Sequence, residues 1–494
     1  MMRRIDHSLD LGEQRSEGKP GGKWTVSTGS AAEIEHQRRN GSVNQRSDRP
    51  SKTGARHGRL VTRGKPARIH RPRIAETGDL EMTADVIIVG AGLSGLACAL
   101  TVRERGLTPL ILDASDGIGG RIRTDNYAGF LLDRGFQVLQ TWYPEARRLL
   151  DYGALDLRPF DPGALVRFDG RFHRVTDIWR RPSRLLEMIR SPIATPKDKL
   201  RLLSLRKRAL QGDLKSLYER PETDTLTMLE GLGFSSHFID RFFKPFFSGV
   251  FFEPNLAVSS HAFEFVFRAF ALGDTALPAG GMAEIPRQLA AKLQPESIRL
   301  HARVHQIRDG NVELENGEQL TARALVIATD APEAARLLDL DTIPKSRGTT
   351  CIYFAAGRPP LSGPDLALNG EGRGLINSLL VPSNLSRHYA PADRHLVTVN
   401  LLGTEIDPDA ATKAVLGELV DWFGAEVKSW ERLAVYSLPA ALPRQAPPVP
   451  YPGGRTLRVT DRLWVCGELG GAPSIQWALT SGSRAGESVS AAIL

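Results

Sequence analysis

The chain has 494 residues, 41% of them apolar and 24% charged, with a formal net charge of +8. That length leaves room for two or three domains, and its longest apolar run, Val86–Leu100, is too short and too glycine-rich to span a bilayer. The charge is uneven: residues 1–81 hold 17 Lys/Arg against 10 Asp/Glu, and the remainder carries only +1, so the basic balance belongs mostly to the N-terminal segment.

Residues 1–81 are polar, rich in Gly, Ser, Arg and Asn, and lack sustained apolar periodicity. Such a segment cannot bury enough apolar surface to offset its ordering entropy, and it reads as a disordered basic tail. It contains no apolar stretch of the secretory-signal kind. Two other readings stay open: an Arg-rich targeting segment, and a start at Met82, three residues before the first strand pattern at Asp85. The tail lacks interleaved aromatic residues, so no nucleic-acid partner is expected.

Asp85-Val86-Ile87-Ile88-Val89 predicts a short buried strand that runs straight into Gly90-Ala91-Gly92-Leu93-Ser94-Gly95. An apolar helix pattern follows from Leu96 to about Arg105, with Gly106 placed to end it, and Pro109-Leu110-Ile111-Leu112 predicts a second strand closing on Asp113. Strand, glycine turn, helix, strand and acid in this order form a dinucleotide-binding fingerprint. Gly90 permits the tight turn, Gly92 lets a diphosphate approach the backbone, and Gly95 lets the helix pack close to the sheet. The helix N-terminus offers free N–H groups to the diphosphate. Asp113 lies 18 residues after Gly95, close to the expected spacing of about 20. Its carboxylate suits ribose hydroxyls and would repel a 2′-phosphate.

The next stretch, Asp113-Ala114-Ser115-Asp116-Gly117-Ile118-Gly119-Gly120-Arg121-Ile122-Arg123-Thr124, resembles the G-G-R-x-R-T motif of the FAD-dependent amine oxidase, protoporphyrinogen oxidase and phytoene desaturase superfamily. The resemblance continues through Gly129–Gly135, Leu277-Pro278-Ala279-Gly280-Gly281-Met282, Arg303-Val304, Ala324–Thr329 and Leu463–Glu468, and ends at Ser474–Gly482. It implies an α/β protein: a Rossmann-like FAD-binding domain from 82–155, 280–345 and 455–494, interleaved with an α+β substrate-binding domain from 156–279 and 346–454. It also implies a set of cofactor contacts. Gly90, Gly92, Leu93, Ser94 and Gly95 would meet the diphosphate, with Asp113 and Ala114 at the ribose. Gly119, Gly120, Arg121 and Arg123 would form a second diphosphate loop, and Gly135 would lie beside the ring. Val304 would reach the adenine, Thr329 would abut the cofactor at a strand end, and Gly467 and Glu468 would bind the ribityl or phosphate region. Ile475 and Ala478 would open a helix toward the flavin C2 carbonyl. Trp477 departs from the pattern, because the family places glycine there.

Residues 174–220 carry 13 Lys/Arg and 5 Asp/Glu, interleaved with Leu185, Leu186, Met188, Ile189, Leu200, Leu202, Leu203 and Leu205. A basic amphipathic segment of this kind is either a solvated face or a peripheral contact with an anionic membrane. Next, residues 234–270 hold 12 of the 19 phenylalanines. Those rings are either the core of the substrate domain or, for some of them, the lining of an apolar channel. Within this stretch a helix is expected over Ala262–Phe270, capped by Ser259 or Ser260, with Glu264 and Arg268 paired at i,i+4.

Cys98, Cys351 and Cys466 are far apart in apolar patterns and read as buried thiols, and the eleven histidines show no metal-binding spacing. No cysteine lies between Cys351 and Cys466, where monoamine oxidases carry their flavin-linking cysteine, so the resemblance implies non-covalent FAD. A cytoplasmic protein is expected, with or without membrane contact. Amine oxidases of the superfamily often hold a lysine near the flavin, yet the matching stretch Gly348–Phe354 has none and Lys345 comes too early. The resemblance therefore implies removal of hydride from a hydrophobic substrate, carotenoid- or polyprenoid-like or protoporphyrinogen-like. A flavin amine oxidase is one alternative, and a non-catalytic prenyl-binding protein of the same fold is another. No catalytic acid or base and no metal site is assigned.

Overall fold

The computed structural model describes residues 83–494 except 309, 343 and 344. The tail expected over 1–81, and Met82 with it, lies outside the described residues. Strand β1 (Ala84–Val89) leads through a glycine turn into helix α1 (Leu93–Glu104), which ends at Gly106 with φ +78°, and the chain returns as β2 (Pro109–Leu112). The helix begins three residues earlier than the periodicity predicts, because Leu93, Ser94 and Gly95 already form its first turn. Strands β3 (Thr124–Tyr127) and β4 (Phe130–Asp133) make an antiparallel hairpin. Two short basic helices follow, α2 (Leu185–Arg190) and α3 (Pro196–Leu210), and then α4 (Ser260–Leu272), whose N-cap is Ser259. The remaining elements that position the site are β5 (Gln319–Ile327), β6 (Ser346–Ala356), β7 (His395–Leu402), β8 (Glu431–Pro443), β9 (Leu463–Val465) and the C-terminal helix α5 (Ile475–Ile493).

Two seven-stranded sheets organise these elements. In the first, β1 lies parallel between β2 and β5, and β9 extends the parallel set on the far side of β5. Residues 86–88 are completely buried, as a central parallel strand with both faces covered requires. Val304–Arg308 and Asn311–Leu314 add an antiparallel edge to β5. Helix α1 lies between this sheet and α5, where glycines allow a close crossing. A Cβ on Gly482 would sit 2.1 Å from the Ser94 carbonyl oxygen, and one on Gly486 would sit 2.7 Å from the Thr101 Cβ. The second sheet places β6 between β7 and β8, both antiparallel to it, and continues through Ile376–Leu380 and Ala367–Asn369 to Gly163–Phe168 and Arg171–Thr176.

The phenylalanine-rich stretch is a core. Ten of its twelve rings belong to one apolar cluster, with Phe238, Phe243 and Phe263 completely buried, and Phe247 and Phe263 only 4.4 Å apart between ring centroids. Phe265 instead joins the first core, 5.4 Å from Trp477. The expected Glu264–Arg268 pair does not form. Glu264 is fully buried and forms ion pairs with Arg208 and Arg220, while Arg268 donates to the carbonyls of Gly212 and Asp213. Two cations brought by other segments outcompete one exposed-type helix neighbour, since a buried carboxylate needs full compensation. All three cysteines are buried. Burial pushes the Cys351 and Cys466 thiols up to about 12, which leaves them protonated. Among the described residues no helix is long and apolar enough to cross a membrane.

Candidate functional site

The glycine turn after β1 forms one wall of a backbone cradle. Gly90 adopts φ +112°, and a Cβ there would meet the Ala328 carbonyl oxygen at 2.9 Å. A Cβ on Gly95 would fall 1.9 Å from the Gly90 carbonyl oxygen, so the helix packs on its own turn only without a side chain. Gly92 differs from both: nothing lies within 4 Å of a Cβ built there. As N-cap it supplies no side chain to the first turn of α1, and that turn contains no acid. The N-terminus of α1 therefore presents unshielded N–H groups and the positive end of its dipole to open space.

The second glycine loop closes against the first. The Gly119 N–H donates to the Ala91 carbonyl at 2.8 Å, Gly92 and Gly119 form a parallel bridge, and Gly119 and Gly120 both have positive φ. Asp113 braces this junction. One carboxylate oxygen accepts from the Ala91 N–H at 2.7 Å, and the other accepts from the Ser115 N–H at 2.8 Å and from its hydroxyl. This carboxylate, expected at a ribose, fixes the turn itself. Ala114 follows it in an exposed position. The Ala302 N–H donates to the Asp113 carbonyl at the end of β2, two residues before Val304 begins its own strand.

Arg121 and Glu468 are 347 positions apart in the sequence and form an ion pair. Arg121 also donates to the Ala441 carbonyl at 2.8 Å, and Glu468 accepts from the Ala331 N–H at 2.8 Å. Gly467, with φ +71°, lies against Ser94 and Thr329, and its N–H donates to the Ser481 hydroxyl at 3.0 Å. Glycine turn, arginine loop, Thr329 and Gly467-Glu468 thus converge on one cradle. Arg123 is held elsewhere, in an ion pair with Asp116 at 2.7 Å that closes the 113–120 loop. Gly135 approaches β8, where a Cβ would sit 2.6 Å from Leu438 Cδ1. Ile475 and Ala478 lie in the first turn of α5, capped by the Ser474 hydroxyl, which accepts from the Trp477 N–H at 3.1 Å. Trp477 finds its place in the core, with its ring packed against Phe265, Tyr218 and Tyr451.

One group escaped the sequence reading. Asp133, at the end of β4, is buried and accepts from the Thr124 hydroxyl at 2.5 Å, the Met282 N–H at 2.9 Å and the Tyr389 hydroxyl at 2.9 Å. The Tyr353 hydroxyl donates to its backbone carbonyl. Burial outweighs these bonds and pushes the carboxyl up to about 6. The available signal was an acid closing the apolar run Phe130-Leu131-Leu132.

The residues present fit a dinucleotide. A side-chain-free space at Gly92, an unshielded helix N-terminus and a guanidinium poised on the facing loop are what a diphosphate requires. Fold and cradle together define a Rossmann-type dinucleotide-binding protein. The chain belongs to the family of flavin-containing amine oxidoreductases, whose pattern it matches over residues 93–488, and its cofactor is accordingly FAD. It is 45% identical over 65 residues to polyamine oxidase 1 of Zea mays, covering 13% of each chain. It is 26% identical over 305 residues to a zeta-carotene-forming phytoene desaturase of Myxococcus xanthus, covering 55% of this chain and 58% of that one. These matches span less than two thirds of either relative. The solved structure of a putrescine oxidase double mutant superposes with a TM-score of 0.64 at 16% identity, over 83% of this chain and 99% of that one, and supports the fold alone.

Proposed function

We propose that this protein is an FAD-dependent dehydrogenase that removes hydride from a carbon of a hydrophobic substrate, carotenoid- or polyprenoid-like or porphyrinogen-like. The observation that carries this reading is the wall that β6 and β8 set against β4 and Gly135. Tyr353 and Tyr436 pack edge to face at 5.7 Å, and their hydroxyls are donated inward, to the Asp133 carbonyl and the Asp125 carboxylate. Leu438 fills the approach to Gly135. Both tyrosine hydroxyls are satisfied within the protein, and β6 carries no lysine. Tyr353 is buried, and the half-buried Tyr436 ring and Leu438 contribute the aromatic and apolar part of this wall, which suits a lipophilic substrate. The similarity to a phytoene desaturase over more than half of the chain supports the same reading.

Gly90, Gly92, Gly95, Gly119, Gly120 and Arg121 would hold the diphosphate, and Asp113 would meet the ribose. When bound, FAD supplies the two-electron oxidant. Protein groups bind, orient and exclude water around it. Anaerobic mixing with polyprenoids, porphyrinogens, primary amines and polyamines tests the substrate class by loss of oxidised-flavin absorbance. Bleaching by a lipophilic compound is the expected result. Rapid bleaching by a simple amine, with no response to any lipophile, would make the protein an amine oxidase.

A further inference from the structure

Six of the ten large apolar side chains exposed among the described residues lie between Trp179 and Leu203. The structure divides the apolar residues of α2 and α3 into two sets. Met188 and Leu205 point inward and join the phenylalanine core. Leu185, Leu186 and Ile189 on α2, and Leu200 and Leu203 on α3, remain outside; Leu186, Ile189 and Leu200 are 64%, 56% and 65% exposed. Neither helix is free to turn these residues in. Asp198 completes a capping box with Thr195 and accepts from the Ser235 N–H and hydroxyl, which pins the start of α3. The Lys199 ammonium donates to the carbonyls of Ile189 and Ser191, which straps the end of α2 to that same turn.

Cations surround this apolar surface. Arg190, Lys197 and Lys207 make no ion pair among the described residues, and along α3 the exposed positions Lys197, Leu200, Leu203 and Lys207 follow one another on the outer face. Arg181 and Arg184 share the Asp161 carboxylate with Arg174. Glu187 is the acid on the exposed side of α2, 3.8 Å from Arg174. A surface of this size on a water-soluble face is costly unless something covers it. Two copies of the chain meeting here would set Arg190, Lys197 and Lys207 against their equivalents, which disfavours self-association. An anionic bilayer satisfies both features: acyl chains take the leucines, and lipid headgroups take the unpaired cations.

We infer that α2 and α3 dock this protein onto the surface of an anionic phospholipid bilayer. The inference rests on these helices alone and stands whether or not the substrate is hydrophobic. The full chain is sedimented with vesicles of phosphatidylcholine, with and without phosphatidylserine. It is expected to bind the phosphatidylserine vesicles at low salt and to lose that binding at high salt. The Leu186→Asp/Leu200→Asp variant should bind at least about tenfold more weakly with unchanged flavin content and melting temperature, because both side chains lie outside the core. The Arg190→Glu/Lys197→Glu variant keeps every leucine and should also lose binding to the anionic vesicles. No binding of the wild type at low salt, or binding as tight as wild type by either variant, would overturn the proposal. So would a wild-type dimer in sedimentation velocity that the leucine variant dissolves, since the covering partner would then be a second copy.

Discussion

Two neighbouring glycines should respond to the same substitution in opposite ways. Gly92 has φ −71° and ψ 178°, an extended conformation open to any residue, and nothing lies within 4 Å of its would-be Cβ. Gly92→Ala should therefore leave the cofactor-free fold intact, or stabilise it by up to about 1 kcal/mol through a stiffer unfolded chain. The added methyl group would instead occupy the space a diphosphate needs. A loss of at least about 1.4 kcal/mol in FAD affinity, or tenfold, is expected. At Gly95 the new Cβ would sit 1.9 Å from the Gly90 carbonyl oxygen and 3.4 Å from the Ala328 Cβ. Backbone must move there, so Gly95→Ala should destabilise the protein by about 1–3 kcal/mol even without cofactor. Thermal unfolding of the cofactor-free variants, followed by FAD titration monitored through flavin fluorescence, separates the two effects. A Gly92→Ala protein that binds FAD as tightly as wild type, or that melts like Gly95→Ala, would refute the placement of the diphosphate.

Three further predictions follow from the charged groups. Arg121→Ala removes the guanidinium that faces Glu468 across the cradle; it should lose FAD on dialysis and also lower the melting temperature of the cofactor-free protein, because the buried Glu468 carboxylate loses its cation, and full flavin retention would contradict the assignment. The Asp133 carboxyl titrates near 6 in the fold against an ordinary 3.8, so the protonated form is favoured. Its contribution to stability is fully present below the ordinary value and is lost as pH rises through about 6, and a gap of about two units corresponds to about 3 kcal/mol. Unfolding free energies from denaturant titration should show wild type losing about 2.4 kcal/mol more than Asp133→Asn between pH 4 and pH 7, and a constant difference between the two would sink the idea. Glu264→Gln leaves Arg208 and Arg220 facing each other without their shared carboxylate; with Arg208 partly open to solvent, a loss of about 3 kcal/mol is expected, whereas a loss of only about 0.3–0.5 kcal/mol would suit the surface i,i+4 pair that the sequence suggested.

Local order was legible and long-range partnership was not. Strand, glycine turn, helix, strand and Asp113 lie within about thirty residues whose spacing is dictated by the geometry of one β-α-β unit, so they could be read directly. The two glycine loops and the Gly467-Glu468 pair also converge as expected, although the contact of Arg121 with Glu468 needs the whole fold to form. By contrast, Glu264 has a plausible partner four residues away, yet its ion pairs come from 44 and 56 positions upstream. Asp133 takes Tyr389 from 256 positions downstream, and nothing near it in the chain announces that bond. On α2 and α3 the pattern mixes leucine with arginine but cannot show which leucines face the phenylalanine core. Packing against that core settles the matter, placing Met188 inside and Leu186 outside. Aromatic density left core and channel both open, and packing decides for the core: ten of the twelve rings fill one another's gaps in one cluster.

The central claim is that the cradle around Gly92, Asp113, Arg121 and Glu468 holds FAD for redox chemistry. The direct measurement is the absorbance spectrum of the purified protein, with mass spectrometry of the cofactor released on denaturation. Stoichiometric FAD, bleached by dithionite and restored by an oxidant, is the predicted result. A colourless protein that takes up no FAD on reconstitution, while its unfolding remains cooperative, would contradict it.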